Sequence, residues 1–174
     1  MLETINTISQ TVAAIAVVAS LVYLALQVRQ SDRTQGAAAL QSVLDGFRDR
    51  TFVTLSLHAD LVDIFARGLT SLDALDENEK RRFFEHMGEQ FMHMQQVLQL
   101  YERKLISKTD YDAWLAYSAS LVKTPGGAAI WPYIEAIFTP PVVKVINARL
   151  AQDPAHPSFL DMVPFFRSSA AVGC

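Results

Sequence analysis

The chain of 174 residues has one cysteine, Cys174, so no disulfide framework holds it together. The longest run of lysine and arginine is the three residues Lys80-Arg81-Arg82, and after Val28 basic and acidic residues nearly balance at 15 to 17. That leaves neither a polybasic patch for lipid headgroups nor a basic face for nucleic acid, and nucleic acid is not an expected partner. No P-loop, dinucleotide fingerprint or G-x-S-x-G elbow occurs. Low-complexity segments and clear internal repeats are absent as well. The largest absence is of charge: none falls between Thr4 and Val28, a stretch of 25 residues.

That stretch is filled with apolar residues. From Val12 to Leu26 the only polar side chains are Ser20 and Tyr23. A helix of this length reaches about 37 Å, enough to cross a hydrocarbon core of about 30 Å. Residues 1–30 therefore read as a single transmembrane helix. A cleaved signal peptide would need a basic region before the apolar run, and only Glu3 stands there. Arg29 and Arg33 follow the run, which places the carboxyl-terminal side in the cytoplasm by the positive-inside rule.

In steps of three and four, one face of this helix carries Asn6, Ser9, Ala13, Ala16, Ser20, Tyr23, Gln27 and Gln30. The opposite face carries Ile8, Val12, Ile15, Ala19, Val22 and Leu26. Small residues let helix backbones approach in lipid, and hydroxyls or amides bond across the contact. Ser9, Ala13, Ala16, Ser20, Tyr23 and Gln27 are the expected interaction residues. They would face a second copy or another membrane protein, in a left-handed crossing.

The expected fold is all-α: the transmembrane helix, then a bundle of about five or six helices over residues 31–152. From Arg29 the first helix either runs on or breaks near Ser31 to Gly36, and a second helical stretch from Thr34 to Leu57 carries Leu40, Val43, Leu44, Phe47, Thr51, Thr54 and Leu55. A short helix from Asp60 to Arg67 would end on Gly68 as its cap. Asp76 and Glu79 form a D-x-x-E start signal. Beyond it Phe84, Met87, Phe91, Met94, Leu98, Tyr101 and Leu105 repeat at three and four, the seam of a spine helix from Glu77 to Leu105. Ser107 with Asp110, Thr124 with Pro125 and Thr139 with Pro140 start three more helices. Their inward residues are Tyr111, Trp114, Leu115, Ser118, Leu121 and Val122; then Ile130, Trp131, Ile134, Ile137 and Phe138; then Val142, Val145, Ile146 and Leu150. Residues 153–174, with Pro154, Pro157 and Pro164, read as irregular. Their Phe159, Leu160, Met162, Val163, Phe165 and Phe166 are too apolar for a free tail and should pack on the bundle, the membrane or a partner.

SLVYLALQVRQ followed by an alanine-rich helix and DLVDIFARGL resembles a widespread group of uncharacterised bacterial proteins. Members of that group have one N-terminal membrane helix and a helical cytoplasmic part. TPGGAAIWPYIEAIFTPP is similar to the group's SPxG…W…FxPxF region. The likeness covers residues 8 to 150. The chain departs from it at Pro132 and after Leu150. The resemblance implies an architecture and the bacterial inner membrane, and it carries no catalytic motif.

The strongest grouping for chemistry is EHMGEQFMH, where His86, Glu89 and His93 share one helical face at metal-ligand spacing. A di-iron bundle would want Glu-x-x-His pairs on two helices, and H-E-x-x-H is absent too. The three residues fall off the seam, so a solvated or boundary face is expected, with no cofactor. His58 and His156 sit in turns without a nucleophile pattern, and Gly126-Gly127 at a helix start could cradle an anion. The composite expectation is a non-enzymatic accessory subunit or scaffold. It is anchored in the lipid bilayer and associates through the transmembrane seam. The alternative is a membrane-anchored sensor of a small molecule or lipid, with a pocket between Phe91, Met94, Trp114 and Trp131.

Overall fold

The computed structural model describes the backbone of residues 2–57 and 59–167, and the side chains of these except 2–9, 11–14, 33, 50–57 and 59. The roles read for Asn6, Ile8, Ser9, Val12, Ala13, Arg33, Thr51, Thr54, Leu55, His58 and Cys174 lie outside the described residues. All regular structure is helical: α1 (Leu2–Leu57), α2 (Ala59–Thr70), α3 (Glu77–Glu102), α4 (Lys108–Val122), α5 (Pro125–Glu135), α6 (Pro140–Gln152) and α7 (Phe159–Met162), with 3-10 turns at Leu72–Ala74 and Pro164–Phe166. Among the described residues there is no strand.

Of the two alternatives at Ser31 to Gly36, a break or a continuous helix, the second holds; α1 is one helix of 56 residues. Its polar residues there bond within the helix and do not compete with it. Thr34 Oγ1 donates to the Gln30 carbonyl at 3.0 Å, and Gln35 Nε2 donates to Ser31 Oγ at 3.1 Å. The alanines at 37–39 are strong helix formers. Gly36 survives mid-helix because the turn after α3 lies against it: a Cβ there would stand 2.7 Å from the Leu105 carbonyl oxygen. Further along, Phe47 meets the rings of His93 and Trp114 edge-on at 5.5 and 5.3 Å. Gly36 beside Leu105 and Phe47 beside His93 make α1 and α3 antiparallel.

The helix after Leu57 runs to Thr70, and Gly68 is internal to it rather than its cap. Gly68 serves a crossing. A Cβ there would lie 2.5 Å from the Phe83 ring. One on Gly126 would collide with the Gly68 carbonyl. The two glycines thus let α2 and α5 touch backbone to backbone. Gly126 and Gly127 are buried by this contact, and the Gly127 N–H donates to Thr124 Oγ1 at 3.0 Å. The anion cradle considered for Gly126-Gly127 is therefore covered by α2.

The start signals of α3, α4 and α5 act as their spacing implies. Asp76 accepts from the N–H groups of Asn78 and Glu79, and Glu79 reaches back to the Asp76 N–H at 3.0 Å. Ser107 caps α4 and Thr124 caps α5 through their side chains. Thr139 makes no such bond at α6; its hydroxyl donates to Gln95 Oε1. The buried stripe of α3 is wider than the expected seam. Phe83, Met87, Phe91, Met94 and Val97 are fully enclosed, while Phe84 is half-exposed. Leu69, Leu121, Ile134, Val142 and Ile146 complete the core from the surrounding helices.

Beyond α6 the chain folds back on the bundle up to Arg167 instead of running irregularly. The Lys123 ammonium at the end of α4 donates to the carbonyls of Asp153, Pro154 and His156 at 3.1, 2.7 and 2.6 Å. Ser158 and Asp161 form a capping box for α7. Leu160 is buried, and Phe159 and Phe166 pack edge-on against Phe65.

Two alanine substitutions should move stability in opposite directions. Gly126→Ala overpacks the α2–α5 crossing and should cost about 3 kcal/mol in a urea melt. Gly88→Ala lies on α3 where nothing stands within 4 Å of the added Cβ, and it should gain about 1 kcal/mol from helix propensity. Equal effects at the two sites would contradict the crossing.

Candidate functional site

Three surfaces offer binding capacity. The first is the amino-terminal half of α1. Every residue from Ile15 to Asp32 is exposed. Ile15, Val17, Val18, Leu21, Val22, Leu24, Leu26 and Val28 show 54–64% of their surface. At about 100° per residue these side chains cover roughly 200° of the helix circumference, and Ala16, Ala19, Ser20, Tyr23 and Gln27 fill the rest. The segment thus has a bulky apolar side and a small or uncharged polar side, with no charge on either. Its few polar groups bond within the helix. Ser20 Oγ donates to the Ala16 carbonyl at 2.8 Å, and Gln27 Nε2 donates to Tyr23 Oη at 2.9 Å. Ala16, Ser20, Tyr23 and Gln27 line one shallow hollow on this helix.

Among the described residues, no helix is long and apolar enough to cross a membrane. From Ile15 to Val28 the uncharged run is 14 residues, about 21 Å of helix against a hydrocarbon core of about 30 Å. The side chains of 11–14 lie outside that description.

The second surface is a cleft of about 310 Å³ between α1 and α3, lined by Val43, Gly46, His93, Gln96 and Leu100 among others. Of the three residues expected on a solvated or boundary face, His86 and Glu89 are half-buried and His93 departs from it. His93 is 3% exposed and sits among the rings of Phe47 and Trp114. His86 turns the other way and meets the Phe65 ring at 4.8 Å, where burial lowers its pKa against the opposing charge of Glu89. The two imidazoles thus serve different helix contacts. Among the described residues, no three His, Cys, Asp or Glu side chains converge as a metal site. The pocket expected between Phe91, Met94, Trp114 and Trp131 is also filled. Phe91 and Met94 have no exposed surface, and the Phe91 ring packs on Trp131 at 4.9 Å.

The third surface is a groove between α3 and the α5 region, formed by two adjoining hollows of about 530 and 500 Å³ that share Phe84 and Glu85. Gly88 forms its floor, and Met92, Tyr133 and Ile137 are 47%, 65% and 64% exposed along it. Ile137 was expected inside; it lies past the end of α5, where the chain turns outward. The hint in the sequence was Gly88 and Met92, a small and an apolar residue on the α3 face away from the seam.

An ionic clamp holds the α3 side of this groove to α2. Arg67 forks onto Glu79 at 2.6 and 3.1 Å and also reaches Asp63 at 2.8 Å. Arg82 pairs with both Asp60 oxygens. The Arg67 bonds, and then the Asp76 N–H, pull the Glu79 carboxyl down from its ordinary 4.5 to about 2.

No protein-family model, curated protein or solved structure matches this chain. Its surfaces are therefore read from their own chemistry.

Because folding lowers the Glu79 pKa, the unfolded chain takes up that proton first as pH falls. The stabilisation is complete above pH 4.5 and is lost between 4.5 and about 2. Acid titration of the melting temperature should show this loss, and Glu79→Gln should remove part of it while lowering stability at neutral pH. An unchanged acid profile in the variant would refute the clamp.

Proposed function

We propose that this protein is a non-enzymatic helical subunit or scaffold held at the bacterial inner membrane by the first half of α1, with the bundle on the cytoplasmic side. One observation carries this reading: the exposed apolar segment of α1, from Ile15 to Val28, has no charged face. A surface helix, or a helix that docks on one partner, needs one; a helix surrounded by lipid does not. The sequence supplies the length that the described residues lack, since Thr4 to Val28 carries no charge over 25 positions. Resemblance to the bacterial group with one N-terminal membrane helix supports the same placement.

Association with a second copy or another membrane protein would run along Ser9, Ala13, Ala16, Ser20, Tyr23 and Gln27. Small side chains there leave room for a neighbouring backbone. A second reading, a membrane-anchored sensor of a small molecule or lipid, draws on the cleft between α1 and α3 beside His93.

Washing membranes at high pH separates the possibilities. The full chain should stay with the pellet, and its recovery in the supernatant without detergent would end the anchor reading. In a membrane-association reporter, Ala16→Leu with Ser20→Leu should abolish the signal; an unaltered signal would reject the seam. A melting temperature that rises with an added lipid or metabolite, in a protein that forms no complex, would favour the sensor.

A further inference from the structure

We propose that the cleft between α1 and α3 binds a small organic carboxylate: its acid on Arg103, an amide or hydroxyl among Ser42, Gln96 and Gln99, and an apolar end over Gly46. The proposal rests on the second reading above, in which this cleft serves a sensor, and it names the ligand's chemistry.

Shape is the first argument. Two contacts hold α1 and α3 apart like struts. At one end Gly36 meets the Leu105 carbonyl, and at the other Phe47 meets the His93 ring at 5.5 Å and the Trp114 ring at 5.3 Å. Between them Ala39, Ser42 and Gly46 line the α1 wall of the cleft. They stand three and four apart, so they share one face of the helix. A row of small residues lets two helices close on each other, yet here the gap stays open. A Cβ on Gly46 would meet one atom alone within 4 Å, His93 Cε1 at 3.9 Å. The space is about 310 Å³, room for about ten waters and at the small end of ligand cavities.

The lining residues set the ligand's chemistry. Along α3, in steps of three and four, Arg103, Gln99, Gln96 and His93 face the cleft, with Ser42 opposite and Val43 and Leu100 as apolar walls. Arg103, Gln99, Gln96 and Ser42 are all exposed, so a ligand reaches them from solvent. No aspartate or glutamate is among the lining residues. Glu102 and Lys104 flank Arg103 in the chain and offset each other. Asp45, next to Gly46, accepts from Gln41 at 3.1 Å and pairs with Arg48 at 3.8 Å. A guanidinium takes a carboxylate through two parallel N–H bonds, and two amides with a hydroxyl offer both donors and acceptors. A cationic ligand finds no counter-charge here, and a wholly apolar one strips water from the amides without replacing it.

The test uses the full chain in mild detergent with N-acetylphenylalanine and its uncharged carboxamide, N-acetylphenylalaninamide. The acid should bind with a dissociation constant of about 1 mM, the level expected of a molecule of about 15 non-hydrogen atoms. The carboxamide should bind about tenfold more weakly, and Arg103→Gln should bring the two to the same weak level. Ser42→Leu and Gly46→Leu fill the cleft and should each abolish binding. Ser42 is exposed, so Ser42→Leu should leave the melting temperature unchanged. Equal binding of acid and carboxamide, binding of neither, or binding of the acid indifferent to Ser42→Leu overturns the proposal. Inorganic phosphate binding as tightly as the acid overturns it too, since that assigns an anion contact at Arg103 without a cleft. A melting temperature raised by a lipid, with neither probe bound, keeps the sensor reading and removes this ligand. The membrane wash does not involve these residues, so failure of the anchor is read separately.

Discussion

The constraint on which the rest depends is that α1 does not break. A single helix of 56 residues carries both the exposed apolar segment and the strip that packs on the bundle. Among the described side chains of α1, the stretch from Gly36 to Phe47 is gripped by the Leu105 carbonyl at one end and by His93 and Trp114 at the other. With no hinge between grip and projection, the direction of the apolar half is set by the α1–α3 contact. Whatever covers that half is held rigidly with respect to the bundle. The buried His93 makes sense in this light: it is a helix-contact residue, wedged where α1 and α4 meet α3.

The bundle keeps its own shape by two unlike devices. Where α2 meets α5, Gly68 and Gly126 remove side chains so that backbones can touch. Where α2 meets α3, side chains are needed, and Arg67 and Arg82 fork onto carboxylates across the gap. The first contact depends on close packing and ignores salt; the second is exposed and screened. Glu79 joins local and tertiary order, because one carboxylate closes the α3 capping box and also receives Arg67. At the far end, Lys123 ties the segment after α6 to α4 through three carbonyl oxygens.

Local signals in the sequence were legible where a residue acts on its own turn. Asp76 with Glu79, Ser107 with Asp110 and Thr124 with Pro125 marked three helix starts, because a cap depends on its three following residues alone. The all-helical class followed from periodicity in the same way. Gly68 misled for the opposite reason, and the choice between a break and a continuous helix near Gly36 stayed open for the same one. Each glycine is held inside its helix by an atom distant in sequence, the Leu105 carbonyl or the Phe83 ring. His86 and His93 were grouped by spacing, yet a helix face wide enough to touch α2 on one edge and α1 on the other separates them. The α3–α5 groove was hinted at by Gly88 and Met92 alone, since its other wall needs Ile137 exposed beyond the end of α5.

Geometry also relates the apolar half of α1 to the outer face of α3. Because α1 and α3 are antiparallel, moving from Leu105 back toward Glu77 leads away from the apolar end of α1. Gly88 then lies about 37 Å along the helix axis from Val28, where the uncharged run ends. On the membrane reading, this face of α3 stands well clear of the headgroups, and the carboxylates of Glu77 and Glu85 lie several Debye lengths from the leaflet. Acidic residues on α3 would then not oppose an attachment of α1 to an anionic surface.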